Sequence, residues 1–167
     1  MNRVFALILL AVTCFNSVFA QDGLFNQYTL GSGDTVRISV YGQDDLSLET
    51  RLTDIGVINY PYLGEIKVIG MTVSSLESFI YEGLKGDYLI NPSVSVGIVE
   101  YRPFFINGEV KNPGGYPFQP GLTIDKAAAL AGGYTERASK TKIYIDRTVN
   151  GEQLTLNADR YMQILPG

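Results

Sequence analysis

The chain has 167 residues, 46% hydrophobic and 18% charged, with 13 Lys and Arg against 17 Asp and Glu. That composition is a globular protein's, and a net charge of −4 argues against nucleic acid as a partner, because phosphate binding needs a basic face. Histidine is absent and Cys14 is the lone cysteine, which excludes His-activated nucleophiles, most zinc sites and an internal disulfide.

The first twenty residues read as a secretory signal. Arg3 gives a positive start, Val4 to Val12 is a short apolar core, and Val18-Phe19-Ala20 places a cut after Ala20. A lipoprotein cut before Cys14 is the rival, but Thr13 stands where such signals carry Gly, Ala or Ser. Loss of residues 1–20 removes Arg3 alone among the charges, leaving 12 positive and 17 negative side chains and neither Cys nor His. No later stretch reaches the roughly 18 to 20 apolar residues of a spanning helix. The sequence therefore describes an exported protein, with 21–27 as an N-terminal lead.

A first unit spans 28–100. After the turn cluster Leu30 to Asp34, Val36, Ile38 and Val40 alternate with Arg37 and Ser39, a half-buried strand. Gln43 to Glu49 is polar and reads as a loop. Val57 to Tyr62 is a second strand with Pro61 marking its end or an edge, and Glu65 to Ile69 alternates again. Thr72 is placed to cap a helix whose Val73, Leu76, Ile80 and Leu84 recur at helical spacing, with Gly86 as its stop. Asn91-Pro92 turns into the alternating strand Val94 to Ile98. The unit is α+β.

A second unit spans 101–167. Pro103 to Val110 is strand-like, Asn112-Pro113-Gly114-Gly115 is a turn signal, and Tyr116-Pro117-Phe118 is extended. Thr123 caps a short helix through Ala131, ended by Gly132-Gly133. Lys142 to Arg147 and Gln153 to Leu156 flank Asn150-Gly151, a favoured hairpin pair. Strands around one short helix describe a β-grasp-like module. Units this small bury only about 60% of their unfolded surface. With no flexible linker near Glu100 to Arg102, the two should pack as one body, and self-assembly would add burial.

Catalytic candidates are weak. Asp44, Asp45, Glu49 and Asp54 could supply the two carboxylates of a glycoside hydrolase, yet nothing fixes their separation and solvated loops explain them. Gly31-Ser32-Gly33 precedes a strand and not a helix, so it is turn chemistry and not a phosphate loop. Gly114-Gly115 and Gly132-Gly133 read as turn and helix cap. Ser139 beside Lys140 and Lys142 is no more than a basic turn. No catalytic residue, metal site or cofactor is assigned.

The order of motifs resembles the outer-membrane polysaccharide export protein family. Tyr28 to Asp34 with Val36 to Val40 looks like the opening of its polysaccharide export (PES) domain. Gly56 to Gly64 with Tyr60-Pro61-Tyr62-Leu63-Gly64, then Glu65 to Val68, Gly70-Met71-Thr72 and Asn91 to Val96, follows the rest of it. Arg102 to Val110, Asn112-Pro113-Gly114, Gly121 to Ile124 and Ala127 to Thr135 resemble a soluble-ligand-binding β-grasp (SLBB) domain.

The resemblance implies a small PES-type sheet-plus-helix domain followed by an SLBB β-grasp domain. It implies a periplasmic, outer-membrane-associated part of a capsule or exopolysaccharide export machine, forming a homo-oligomeric ring or conduit without catalysing a reaction. Its partners would be the polysaccharide, an inner-membrane copolymerase or chain-length regulator and a separate outer-membrane β-barrel. One SLBB domain with no pore helix after it looks like the short form. Leu165-Pro166-Gly167 looks like the start of a closing turn before a final strand, which suggests truncation. Tyr101, Arg102, Asn107, Glu109, Asn112 and Tyr116 offer stacking and hydrogen-bonding groups and are the candidate polysaccharide contacts. The alternative function is a periplasmic glycan-binding module that does not export.

Overall fold

The computed structural model describes residues 28–139, 141–149 and 152–167. The export signal, Cys14, the N-terminal lead, Lys140 and the Asn150-Gly151 pair lie outside the described residues.

Strand β1 (Thr35–Val40) buries Val36, Ile38 and Val40, as their alternation predicts. It is the middle of an antiparallel sheet, between β2 (Leu48–Arg51) and β5 (Val94–Glu100). β2 corrects the loop expected over Gln43 to Glu49. A 3-10 turn at Asp44–Leu46 drops Leu46 into the core and leads into an edge strand in which Leu48 packs on that core while Glu49 and Arg51 face solvent. Glu49 stands opposite Arg37 and pairs with it at 2.7 Å, an exposed bridge worth at most about 1 kcal/mol.

β3 (Val57–Tyr60) and β4 (Gly64–Lys67) form a hairpin. β3 stops at Pro61, which has no N–H to give the ladder. The buried Tyr60 hydroxyl donates to the Leu46 carbonyl at 2.6 Å and ties the hairpin to the 3-10 turn. Helix α1 (Val73–Leu84) starts where Thr72 accepts the Ser75 N–H at 3.1 Å, and it buries Leu76, Ile80 and Leu84. Glu77 on α1 accepts the outward N–H of Val96 at 3.0 Å, so the helix also satisfies part of the free edge of β5. These elements enclose one hydrophobic cluster running from Leu30 to Val96.

In the second unit, β6 (Phe104–Ile106) pairs with β7 (Gly114–Tyr116). Gly114 and Gly115 thus belong to a strand and not to the turn expected of them. Gly115 lies under the Phe105 ring, where an added Cβ would sit 3.0 Å from a ring carbon. β6 is shorter than the run 103–110 because Gly108, at φ 90°, turns the chain, after which Val110 bridges to Tyr134. Helix α2 (Ile124–Leu130) is capped by Thr123 and buries Ala127 and Ala128. β8 (Ile143–Val149) and β9 (Glu152–Ala158) form a hairpin that pairs with no other strand among the described residues. The chain then returns along α2, with Gln163 bridged to Thr123.

The result is the α+β architecture predicted from the sequence. Replacing the fully buried Leu76 by Ala should remove about 3 kcal/mol of stability, read as a lower urea midpoint at unchanged slope. Phe79→Ala, on the exposed side of the same helix, should cost about 0.5 kcal/mol or less.

Candidate functional site

The Leu30 to Asp34 turn ends in a fully buried carboxylate, the sole buried charged side chain among the described residues. Asp34 accepts the Gly31 N–H at 2.8 Å, which closes the turn locally, and the Tyr28 hydroxyl at 2.6–2.7 Å. From the second unit it accepts the Arg102 N–H at 2.8 Å and the Arg102 guanidinium at 3.0 Å. The same guanidinium donates to the Tyr28 oxygen at 2.8 Å, and its Nε donates to the Pro166 carbonyl at 3.2 Å. One ion pair therefore joins the opening turn, the inter-unit segment and the chain end.

The glycines around it are spacing devices. A Cβ at Gly31 would land on the Arg102 guanidinium, and one at Gly167 would sit 2.6 Å from its Nε. Tyr101 continues the contact in apolar form. Its ring meets Tyr28 edge-on at 5.1 Å and Phe118 at 5.4 Å, linking the cores of the two units. Burial, then the hydrogen bond to Asp34, raises the Tyr28 hydroxyl far above the ordinary tyrosine value of 10.0. Burial raises Tyr101 in the same direction, helped by Asp34.

A cleft of about 710 Å³ opens in the second unit between the stretch Phe104–Val110, α2 and β8. Asn107 and Glu109 line it, as do Arg137, Lys142, Tyr144 and Arg147. Glu109 accepts the Thr135 hydroxyl at 2.6 Å and pairs with Arg137 at 2.7 Å. The Thr135 bond, and then Arg137, hold its carboxyl below the usual carboxylate range. Asp146 accepts from Thr155 at 2.6 Å, while Lys142 and Arg147 have no ion-pair partner among the described residues. The Tyr134 hydroxyl on the same wall is buried without a hydrogen-bond partner among the described residues. The cleft thus presents cations, two phenols and the Asn107 amide, all groups that can hydrogen-bond to a polar ligand.

The six candidate contacts do not form one site. Tyr101 and Arg102 sit at the junction, and Asn107 and Glu109 line the cleft. Asn112 and Tyr116 pair with each other, the Tyr116 hydroxyl donating to the Asn112 carbonyl at 2.6 Å. Sequence reasoning missed Arg137, Lys142 and Arg147, which come from separate segments with no shared spacing. It also missed the role of Asp34, although the motif holding it was visible. Of the carboxylates weighed for hydrolysis, Glu49 pairs with Arg37 and Asp54 with Ser32, and Asp44 and Asp45 are exposed on the 3-10 turn.

Arg102→Ala should cost about 3 kcal/mol by leaving a buried carboxylate without its cation, measured by urea unfolding. Gly31→Ala should also destabilise, by displacing that guanidinium. A raised tyrosine contributes stability that is complete below its ordinary value and lost as pH rises past it. Stability should therefore fall from about pH 10 upward, and less steeply in Tyr28→Phe.

Residues 24–99 match the polysaccharide biosynthesis/export protein family, and residues 103–157 match the SLBB domain. The exopolysaccharide production protein ExoF of Rhizobium meliloti (strain 1021) is 32% identical over 122 residues, 65% of this chain and 28% of that protein. The polysialic acid transport protein KpsD of Escherichia coli is 29% identical over 177 residues, 100% of this chain and 30% of that protein. The EPS I polysaccharide export outer membrane protein EpsA of Ralstonia nicotianae is 28% identical over 163 residues, 81% of this chain and 42% of that protein. The chain spans less than half the length of each of these relatives. With the two matches in this order along the sequence, the chain carries a polysaccharide biosynthesis/export protein domain followed by an SLBB domain.

Proposed function

We propose that this protein is a periplasmic component of a capsule or exopolysaccharide export machine, forming a ring or conduit that passes polymer towards the outer membrane. The observation that carries the reading is the succession of an export domain and an SLBB domain in one chain. Relatives named for polysaccharide transport and export support it. In this reading the protein makes and breaks no bonds. It holds and guides a sugar chain, with an inner-membrane copolymerase supplying polymer and an outer-membrane β-barrel receiving it.

The cleft is the contact the geometry favours on the second unit, with Asn107 and Glu109 on one side and Lys142 and Arg147 on the other. Tyr101, Arg102, Asn112 and Tyr116 then act by holding the junction and the β6–β7 turn around it. The same cleft supports a second reading, a periplasmic glycan-binding module that does not export.

Deleting the gene should lower polysaccharide outside the cell and raise it in the periplasm, with both restored by the full-length gene. Unchanged partition would overturn the export reading and leave the binding module. Asp44→Asn and Asp45→Asn should complement like the wild type, since no hydrolysis is assigned to them.

A further inference from the structure

We propose that the exposed pair Tyr62–Tyr88 on the first unit is a sugar-stacking platform that holds one pyranose ring of the polysaccharide by its apolar C–H face. The inference rests on the export reading and deepens it by adding a polymer contact outside the SLBB cleft.

Tyr62 lies in the turn between β3 and β4 at φ 64°, the one non-glycine with positive φ among the described residues. A left-handed backbone costs an L-residue about 1 kcal/mol, and bulky side chains are rare there, whereas glycine adopts it freely. The strain is not offset by burying the ring, which is 64% exposed. A strained residue with an exposed aromatic group is the pattern expected where conformation serves a ligand.

Tyr88, in the turn between α1 and β5, stacks on it with ring centroids 4.7 Å apart and planes 25° apart, and is itself 46% exposed. Each ring restrains the other, so the aromatic surface is ordered before a ligand arrives. Both turns are anchored from beneath. Leu63 packs so closely on α1 that a Cβ at Gly83 would sit 2.8 Å from its methyl, and Gly86 donates to the Leu89 carbonyl at 2.8 Å.

A pyranose has a flat apolar face and a rim of hydroxyls. A tyrosine has a flat apolar ring and a polar tip, so the two match. Polar groups for the hydroxyls come from the same two turns: Asp87 precedes Tyr88 and Asn91 follows it by three residues, and Asn59 and Glu65 oppose each other on the exposed side of the hairpin. Tyrosines also suit protein contacts, but beside Pro61 and Ile90 the exposed chain neighbours of this pair include Glu65, Lys85, Asp87 and Asn91.

The test uses the full chain with maltohexaose, cellohexaose, chitohexaose and polymer purified from the producing cells. It reads the ring-proton NMR signals of Tyr62 and Tyr88. The expected result is a saturable shift of both rings with at least one probe, including the polymer. Tyr62→Gly should bind about tenfold more weakly while its melting temperature stays equal or rises, since the strain is relieved. Tyr88→Ala should weaken the same binding. Absence of ring shifts with every probe would overturn the proposal, as would a Tyr62→Gly protein that melts lower and binds normally. Loss of self-association in Tyr62→Gly by sedimentation, with no ring shifts from sugar, would identify a subunit contact and overturn it too. In the deletion strain, failure of the wild-type gene to restore export would remove the export reading. Restoration by wild type and Tyr62→Gly alike would remove the platform alone.

Discussion

The structure depends on one buried carboxylate. Asp34 receives donors from its own turn, from Tyr28 and from Arg102, so its charge is matched from both units at once. Its worth lies less in net stability than in what its absence would do: a buried ion pair contributes little against an apolar replacement, but half of one is costly. That asymmetry specifies geometry. The glycines beside Arg102 leave no room for a side chain, and the turn, the inter-unit segment and the chain end close around one guanidinium.

Much of the fold was legible because its signals are local. The alternation in β1, the cap and apolar stripe of α1 and the alternation of β5 each follow from residues within one element. β2 escaped because it is a four-residue edge strand with one apolar side chain, Leu48, too little to show an alternation. Its strand character comes from pairing with β1, a partner ten or more residues away. Gly114-Gly115 escaped for the opposite reason. Glycine signals a turn, and only the overlying Phe105 ring explains why a strand needs no side chain there.

The site was less legible than the fold. Asn107 and Glu109 could be nominated as hydrogen-bonding groups near the start of the second unit, and both line the cleft. Arg137, Lys142 and Arg147 are brought there by a hairpin and a loop whose positions no spacing encodes. Arg102 was nominated as a hydrogen-bonding group, and it is one, but its partner lies within the chain. That partner is Asp34, sixty-eight residues earlier.

The segment Tyr101-Arg102-Pro103 has a mechanical consequence. Tyr101 is wedged between two rings, Arg102 is tied at its N–H and its guanidinium, and the Pro103 carbonyl accepts from Gly167. A hinge needs a few consecutive residues free to change their dihedral angles, and this stretch has none. A tilt of one unit against the other would have to break these contacts, so the junction is braced by a side chain and not left to a linker.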